Sequence, residues 1–402
     1  LQEKEKSQLV TKLDGTSFSE LAESFEKTLI QEGLSWLMAN ENLWGYDHSS
    51  LAVVQDFIAK RNKLISEIRK DSRTAMAIQD GDAENEYVFI RGSYSNKGEL
   101  VPRRFLEALG GKPIQDTGSG RLQLAEQMVS PQNPYISRVI VNRIWHHLFG
   151  RGIVASTDDF GYLGQRPSHP ELLDHLAMKF IKDGWSIKKH IKFLVHSQTY
   201  QMSSQAHDLK AAKLDPTNSF WHRMPVKRLE GEAIRDSILS ISGRMDDRMY
   251  GKSVPVYLTS FMTGRGRPGN GPLDGSGRRS VYLSVRRNFL SPMMLAFDTP
   301  SPFQSVGRRT VSNVPSQALM LMNDPFVLAE AKRWGDTVQK MGGSIDDRVI
   351  DMYEKALARE PSQLELDASK VFLERQSKLN PTAAWRDLAH VLFNTKEFIY
   401  TN

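Results

Sequence analysis

The sequence contains no cysteine in its 402 residues. This absence excludes disulfides, thiolate metal sites, cysteine nucleophiles and a C-x-x-C-H haem attachment motif within these residues. The sequence also lacks the G-x-S-x-G and H-E-x-x-H patterns, which mark many serine hydrolases and zinc proteases. A hydrolase with a dispersed pair of carboxylates stays open, because such a pair leaves no local signature.

Long apolar runs are missing as well, and the longest is far shorter than the roughly 18 residues that a membrane-spanning helix needs. We therefore predict no transmembrane segment. The chain opens Leu-Gln-Glu-Lys without a methionine, so we expect it to be the remainder of a longer or processed precursor. The lack of cysteine does not decide the compartment, because exported proteins can avoid cysteine too.

The periodicity of apolar residues predicts a mainly α-helical fold, with a helical bundle core, a loop-rich segment and a few short β-strands. Residues 1–80 are expected to form a helical spacer after a missing upstream domain, with amphipathic patterns at 18–34 and 51–68. Residues 81–402 are expected to form the mainly helical C-terminal domain, with an Arg/Gly-rich loop insertion at 251–310.

Three helices on short loops are predicted between residues 133 and 195. The first begins at Asn133-Pro134 and stops at Gly150. The second is expected to begin with a capping box, Ser168-His169-Pro170-Glu171, and the third with Ser186 as its cap. A fourth helix is predicted from Pro225 to Gly243. Further helices are predicted at 316–322, 326–334, 345–357 and 380–393, after a strand at 280–285.

Positive charge is concentrated in residues 265–309. This segment holds eight arginines, no lysine, no glutamate and two aspartates, so it carries +8 − 2 = +6, which equals the net charge of +6 of the whole chain. Glycines in the segment let successive amides point inward, and arginine forks match carboxylate, sulfate or phosphate oxygens. We therefore expect an anion-binding surface here, and no metal site. The candidate ligand-binding residues are Arg265, Arg267, Asn270, Asp274, Arg278, Arg279, Arg286, Arg287, Arg308 and Arg309.

A structural role for these arginines is the alternative, in which they hold long loops in place through backbone carbonyls, Asp274 or Asp298. If residues 280–285 form a straight strand, Arg279 and Arg287 lie about 26 Å apart at roughly 3.3 Å per residue. That separation favours two small anion sites over one large basic surface. Nucleic acid is not an expected partner, because the excess charge lies in a glycine-rich loop and not on a basic helix.

A second candidate group consists of His146, Asp158, Asp159 and His169, which could form an acid/base or metal site of a hydrolase. Neighbouring residues on a helix point about 100° apart, so His146 and His147 do not address one ion together. We expect His147 to pack against the core. A catalytic role for the group requires that its side chains converge in a cleft.

From Tyr87 onward the sequence resembles the C-terminal domain of the planctomycete cytochrome-C-associated proteins, which is domain of unknown function 1553. The earlier matching stretches are Val88-Phe89-Ile90-Arg91-Gly92, Asn133-Pro134, Val141-Asn142-Arg143-Ile144-Trp145, Phe149-Gly150-Arg151-Gly152, Asp159-Phe160-Gly161, His169-Pro170-Glu171-Leu172-Leu173-Asp174 and Gly184-Trp185-Ser186. The later ones are Glu232-Ala233-Ile234-Arg235-Asp236, Gly277-Arg278-Arg279-Ser280, Arg286-Arg287-Asn288, Asn323-Asp324-Pro325-Phe326, Phe393-Asn394 and Glu397-Phe398.

The resemblance implies an exported, extracytoplasmic protein of the periplasm or cell envelope. It implies that full-length relatives carry a signal sequence, a small haem-binding cytochrome module and a second domain upstream. No cofactor is expected in this chain, and haem c is implied only for the upstream module, which would also be a partner. An association with polysaccharide handling is implied too, but no catalytic residues are.

We therefore expect the non-haem portion of a cytochrome-fused envelope protein, which binds an anionic ligand through its Arg/Gly-rich loop. The ligand would be an acidic or sulfated glycan, or the acidic surface of a partner domain. The alternatives are the hydrolase or metal-dependent enzyme centred on His146, Asp158, Asp159 and His169, and a structural component of an envelope assembly.

Overall fold

The computed structural model of the protein describes residues 56, 58–60, 63, 78–115 and 118–401. The chain divides into two compact units, Leu1–Ala77 and Ile78–Asn402. The helix predicted at 18–34 lies outside the described residues. Of the helix predicted at 51–68 only residues 56, 58–60 and 63 are described, and these are helical. The interpretation of residues 1–80 as a spacer stays a prediction.

The second unit is mainly α-helical with a few short strands, so the predicted fold class is confirmed. The α-helices are α1 (Arg121–Met128), α2 (Ile136–Phe149), α3 (Pro170–Lys182), α4 (Ile187–Val195), α5 (Leu209–Leu214), α6 (Gly231–Ile241), α7 (Pro292–Ala296), α8 (Pro315–Asn323), α9 (Pro325–Gln339), α10 (Ile345–Leu357), α11 (Gln363–Leu379) and α12 (Ala384–Phe393). The strands are β1 (Glu86–Phe89), β2 (Lys97–Val101), β3 (Lys227–Arg228) and β4 (Tyr400–Thr401), and they pair antiparallel as β1 with β2 and β3 with β4.

The three predicted helices of residues 133–195 are present as α2, α3 and α4. They share one hydrophobic core, in which Phe149 of α2, Phe180 of α3 and Leu194 of α4 are buried. Trp221, from the loop that follows α5, completes this core and meets Trp145 edge to face at 5.1 Å. The apolar stripe on each helix is therefore what packs the three helices together.

One of the two predicted caps in this region is confirmed, and the other is wrong. The Ser186 hydroxyl accepts a hydrogen bond from the Lys189 amide at the start of α4. At the start of α3 the cap position is His169, and it makes no side-chain cap bond. Ser168 instead binds the carbonyl of Ile153 through its amide at 2.9 Å and its hydroxyl at 3.2 Å. The serine thus closes the loop between α2 and α3 and does not cap α3.

The second hydrophobic core lies among α6, α9, α10, α11 and α12. Trp334 of α9 stacks on Phe393 of α12 at 5.2 Å, and both side chains are buried. A methyl group added at Gly335 would lie 2.5 Å from the Cα of Arg386 in α12, so the two helices cross in direct backbone contact. The crossing lies in the same hydrophobic core as α6, and α6 is the helix that contacts the arginine segment.

Two predicted helices begin later than expected in this half of the chain, and one helix was not predicted. The helix expected from Pro225 begins at Gly231, because Lys227 and Arg228 form β3 and pair with Thr401 and Tyr400. Helix α11 (Gln363–Leu379) was not predicted, and the helix expected at 380–393 begins only at Ala384.

The strand predicted at 280–285 is also absent. Ser280–Tyr282 form a 3-10 helix, followed by a single parallel bridge between Leu283 and Val254. The amide of Ser280 donates to the carboxylate of Asp236, so this amide is not available to a strand ladder. The separation of about 26 Å at 3.3 Å per residue therefore does not apply to Arg279 and Arg287.

Among the residues that the structure describes, no helix combines the length and the apolar character that crossing a membrane requires.

His190 in α4 is fully buried, and neither of its ring nitrogens has a hydrogen-bond partner. Burial, and to a lesser extent the charge of Lys179, lowers the pKa of this imidazole. Because the unfolded chain takes up a proton near pH 6.5 and the folded chain does so only at lower pH, we expect the free energy of unfolding to fall as the pH drops below about 6.5. The slope from this one group is at most about 1.4 kcal/mol per pH unit.

Urea unfolding at pH 7.5 and pH 5.0 checks this expectation in wild type and in a His190→Leu variant. The variant should lose less stability between the two pH values than wild type. A His175→Gln variant, which changes an exposed histidine of α3, is the matched control. Equal losses in wild type and His190→Leu would contradict the prediction.

Candidate functional site

The loop of residues 258–270 carries Arg265 and Arg267, and its two ends are tied together. The Asn270 side-chain oxygen accepts the amide of Leu258 at 2.7 Å, and the Gly271 amide donates to the carbonyl of Val256 at 3.0 Å. A side chain at residue 271 would collide with the neighbouring Pro255 carbonyl. Asn270 therefore closes the loop, which has the form of an Ω-loop.

Arg265 and Arg267 lie on the outside of this loop. Both are exposed, and neither has a hydrogen bond or ion pair with any residue that the structure describes. Phe261, in the same loop, is 92% exposed. Gly264, in the middle of the loop, lies close to the ring of Phe289, which belongs to a small apolar cluster with residues 256, 258 and 262.

Arg286 and Arg287 are held at the same cluster. The amide of Phe289 donates to the carbonyl of Arg286 at 2.9 Å, which makes a turn directly before the cluster. Both arginines are exposed, and Arg287 lies over the ring of Phe303 at 5.7 Å. The structure thus anchors the turn at residues 286–287 and the loop of Arg265 on one set of apolar residues.

Three other arginines of the segment are held by partners within the domain. Arg278 is 9% exposed, donates to the carbonyl of Tyr250 at 2.7 Å and lies over the Tyr282 ring at 4.1 Å. Arg279 is exposed but lies 3.8 Å from the carboxylate of Asp236.

Arg309 makes a two-pronged pair with Glu232 at 2.6 and 3.0 Å and lies 3.6 Å from Glu230. Such forks are among the stronger polar contacts in proteins. These contacts indicate that Arg278 and Arg309 hold the segment in place, which is the structural role that the sequence left open.

The two aspartates of the segment do not neutralise its arginines. Asp274 pairs with Arg244 at 2.6 Å, and Asp298 pairs with Arg228 at 2.5 Å. Both partners lie outside residues 265–309, so the segment's acids are neutralised by other arginines. The exposed arginines of the segment that have no acidic partner in the described residues are Arg265, Arg267, Arg286, Arg287 and Arg308.

The segment is positioned by Arg235, a buried residue of α6. Its guanidinium donates to the carbonyls of Arg278 at 2.9 Å and Asp274 at 2.7 Å, and to the Ser280 hydroxyl at 3.1 Å. The neighbouring Asp236 accepts both the amide and the hydroxyl of Ser280, at 2.7 and 2.6 Å. Residues 235–236 and 274–280 are therefore locked together, in the part of the segment between the loop of Arg265 and the turn at Arg286.

No hydrogen bond, ion pair or ring contact joins the members of the second candidate group in the described structure. Asp159 accepts the amide of Gly161 in its own turn. The His169 ring lies between Phe220 and Trp221, at 5.6 and 5.3 Å, and contacts Ser168. Asp158 is exposed, and its backbone lies against Gly307.

His146 is half-buried on α2. Burial, followed by the positive charges of His147, Arg308, Lys227 and Arg143, lowers its pKa. His147 is exposed, so the prediction that it packs against the core is wrong. Within the described part of the chain, no three His, Cys, Asp or Glu residues are grouped so that they could hold a metal ion.

The proximity of Arg308 to His146 is what sequence reasoning missed, because the two residues were assigned to different candidate sites. No local signal connects them across 162 positions of the sequence. A polar residue inside the apolar stripe of α2, Asn142, was a sign in the sequence that another part of the chain packs against this helix. Asn142 is fully buried and makes two hydrogen bonds with the backbone of Val154, at 2.8 and 2.9 Å.

A pocket of about 380 Å³ lies elsewhere, next to α1. It is lined by residues 112–115 and by the amide side chains of Gln123 and Gln127. None of the predicted site residues lines it.

Both candidate groups of residues lie in the part of the chain that a protein-family model matches. The model of the family described as "Protein of unknown function (DUF1553)" matches residues 120–373, which is more than half of the chain. The chain belongs to this family. The DUF1553 match includes α2 with His146, the interlocked residues 235–236 and 274–280, and the whole arginine segment. No curated protein and no solved structure matches the chain significantly.

Proposed function

We propose that this DUF1553 domain binds an anionic group through the exposed arginines of its Arg/Gly-rich segment. The observation that carries the proposal is the separation of charge: five exposed arginines of residues 265–309 have no acidic partner among the described residues, whereas both acids of the segment are paired elsewhere. A surface of unpaired guanidinium groups attracts anions and offers forked donors to carboxylate or sulfate oxygens.

The ligand we propose is an acidic or sulfated glycan, and an acidic surface of a partner domain is the other candidate. The glycan is favoured by Phe261, whose exposed ring lies in the same tied loop as Arg265 and Arg267. An aromatic face can pack against the apolar side of a sugar ring while arginines bind its charged groups. A rigid loop also loses little conformational entropy on binding.

The cellular setting is a proposal that rests on the resemblance of the sequence to cytochrome-associated proteins. We propose an extracytoplasmic domain that follows a haem-carrying module of the same precursor. The hydrolase alternative is not proposed, because no hydrogen bond, ion pair or ring contact joins His146, Asp158, Asp159 and His169 in the described structure.

The double variant Arg265→Gln/Arg267→Gln tests the loop surface. We expect its binding to a sulfated polysaccharide to weaken about tenfold, because two charge-assisted contacts of roughly 0.5–1 kcal/mol each are lost. Affinity electrophoresis in gels with dextran sulfate or with uncharged dextran measures the change in retention. Retention of wild type should also fall as the salt concentration rises.

The charge-matched control is Arg375→Gln/Lys396→Gln, which removes two exposed positive charges that lie elsewhere and have no partner among the described residues. It should retain wild-type binding. If the loop variant loses stability but binds dextran sulfate like wild type, these arginines hold the loop and do not bind a ligand. If neither variant changes binding and the protein elutes as an oligomer, the structural alternative is favoured.

A further inference from the structure

Basic side chains gather at the C-terminal half of α2. Arg143, His146 and His147 are spaced i, i+3 and i+4, so they lie on neighbouring positions of one helix face. Arg143 and His147 are exposed, and His146 is half-buried. The rings of the two histidines are 5.6 Å apart.

A loop that folds back on α2 brings Arg308 into the neighbourhood of this helix face, where its charge acts on His146. After α2 ends, the chain folds back along the helix. The Val154 amide donates to the side-chain oxygen of Asn142, and the Val154 carbonyl accepts from the side-chain nitrogen of the same residue, which directly precedes Arg143. The loop continues to Asp158, and Gly307 packs on the backbone of that residue so closely that a side chain at 307 would overlap it. Arg308 follows directly.

Two other charged side chains of this neighbourhood, Lys227 and Arg309, already have partners. The ammonium of Lys227 donates to the last carbonyls of α2, those of His147 at 3.0 Å and Leu148 at 2.7 Å. Arg309 is held by Glu232 and Glu230. Arg143 and Arg308 have no hydrogen bond or ion pair with any described residue, and Asp158 meets Gly307 through its backbone and Cβ.

We propose that Arg143, His146 and Arg308 form a binding site for a tetrahedral oxyanion, a sulfate or phosphate group carried by a larger molecule. Two guanidinium groups supply forked donors and two charges, and the half-buried imidazole supplies one N–H donor. The inference goes beyond the proposed function, because it assigns one defined chemical group to a site that shares only Arg308 with the arginine segment.

The imidazole gives this site a characteristic dependence on pH. Around His146 the acting charges are those of His147, Arg308, Lys227 and Arg143, all positive, and they disfavour its protonation. A bound oxyanion offsets them and raises the pKa of His146. By linkage, the oxyanion binds more tightly as the pH falls.

The experiment titrates the domain with sodium sulfate, at constant ionic strength held with sodium chloride, and follows the side-chain resonances of His146 by NMR. Sulfate is chosen because its charge is constant over this pH range. We expect a saturable shift in the millimolar range that tightens at least about threefold between pH 7.5 and pH 5.5. Arg143→Gln and Arg308→Gln should each weaken binding about fivefold or more, and Arg308→Lys less.

The variant Arg265→Gln/Arg267→Gln is the control, and it should bind sulfate at His146 like wild type. We expect this result even if Arg265→Gln/Arg267→Gln leaves the retention by dextran sulfate unchanged, so failure of one proposal can be told from failure of the other. A second arm compares galactose 6-sulfate, galactose 6-phosphate and galactose, which decides between the sulfate and phosphate sources. A wild-type shift that does not saturate, equal weakening in the loop variant, or equal binding of unmodified galactose would each overturn the proposal.

Discussion

The Gly335→Ala substitution is expected to lower the free energy of unfolding by about 2–3 kcal/mol, although alanine favours helix by about 1 kcal/mol over glycine. Gly335 lies inside α9 at its crossing with α12. A methyl group there would overlap the amide of Arg386 and lie 2.5 Å from its Cα and 2.8 Å from the carbonyl carbon of Trp385. These are backbone atoms, so the helices must move apart to admit it.

Chemical unfolding in urea measures this effect, and Gly342→Ala is the matched control. Gly342 follows α9, has open space around it and needs no left-handed backbone, so its substitution should change stability by less than about 0.5 kcal/mol. A Gly335→Ala protein as stable as wild type, or more stable, would show that the α9–α12 contact yields at low cost.

The second large effect is expected from Arg235→Ala, at about 3–5 kcal/mol of lost stability. The substitution leaves the carbonyl of Arg278 without a donor, removes one of the two donors to the carbonyl of Asp274, and opens a cavity beneath the arginine segment. Arg235 carries its charge in a buried site, but its hydrogen bonds satisfy groups that have few other donors. The loss is therefore larger than for a surface ion pair.

Urea unfolding of Arg235→Ala is compared with Arg244→Ala, whose partly exposed side chain pairs with Asp274 and should cost only about 1 kcal/mol. Hydrogen exchange adds a local readout, because the amide of Ser280 should exchange faster when Arg235 no longer holds the segment. Equal losses in the two variants would mean that Arg235 contributes no more than an ordinary ion pair.

These two predictions concern the scaffold, and they bear on function through position. Arg235 and Asp236 of α6 hold residues 274–280, so a loosened segment would spread the exposed arginines over many arrangements. Weakened glycan binding in Arg235→Ala would then reflect lost positioning, whereas in Arg265→Gln/Arg267→Gln it would reflect lost donors. Comparing the two separates these causes.

The long periodic helices could be predicted from sequence, and the less periodic elements could not. Helices α2, α3, α4 and α10 carry clear apolar stripes, and each was predicted. Helix α11 was missed, because most of its surface is exposed and only Ser369 and Leu373 are buried. Its capping box, Ser362 with Glu365, was the signal that could have revealed it.

The strand expected at 280–285 failed for a different reason. Its β-branched and aromatic residues have a real local preference for strands, but the amide of Ser280 is taken by Asp236. The acceptor lies 44 residues earlier in the chain, so no local pattern around residue 280 could reveal it. Tertiary hydrogen bonding overrode the local preference.

The sequence alone determined that the protein is mainly helical, that it has no thiol chemistry within these residues, and that its net charge lies in one arginine-rich segment. Only the tertiary structure decided which of those arginines are available. Arg309 is taken by Glu232, 77 residues away, Asp298 is taken by Arg228, 70 residues away, and Arg308 comes near enough to His146 for its charge to lower the pKa of that imidazole. Charge content is a property of the chain, but charge neutralisation depends on distances that only folding sets.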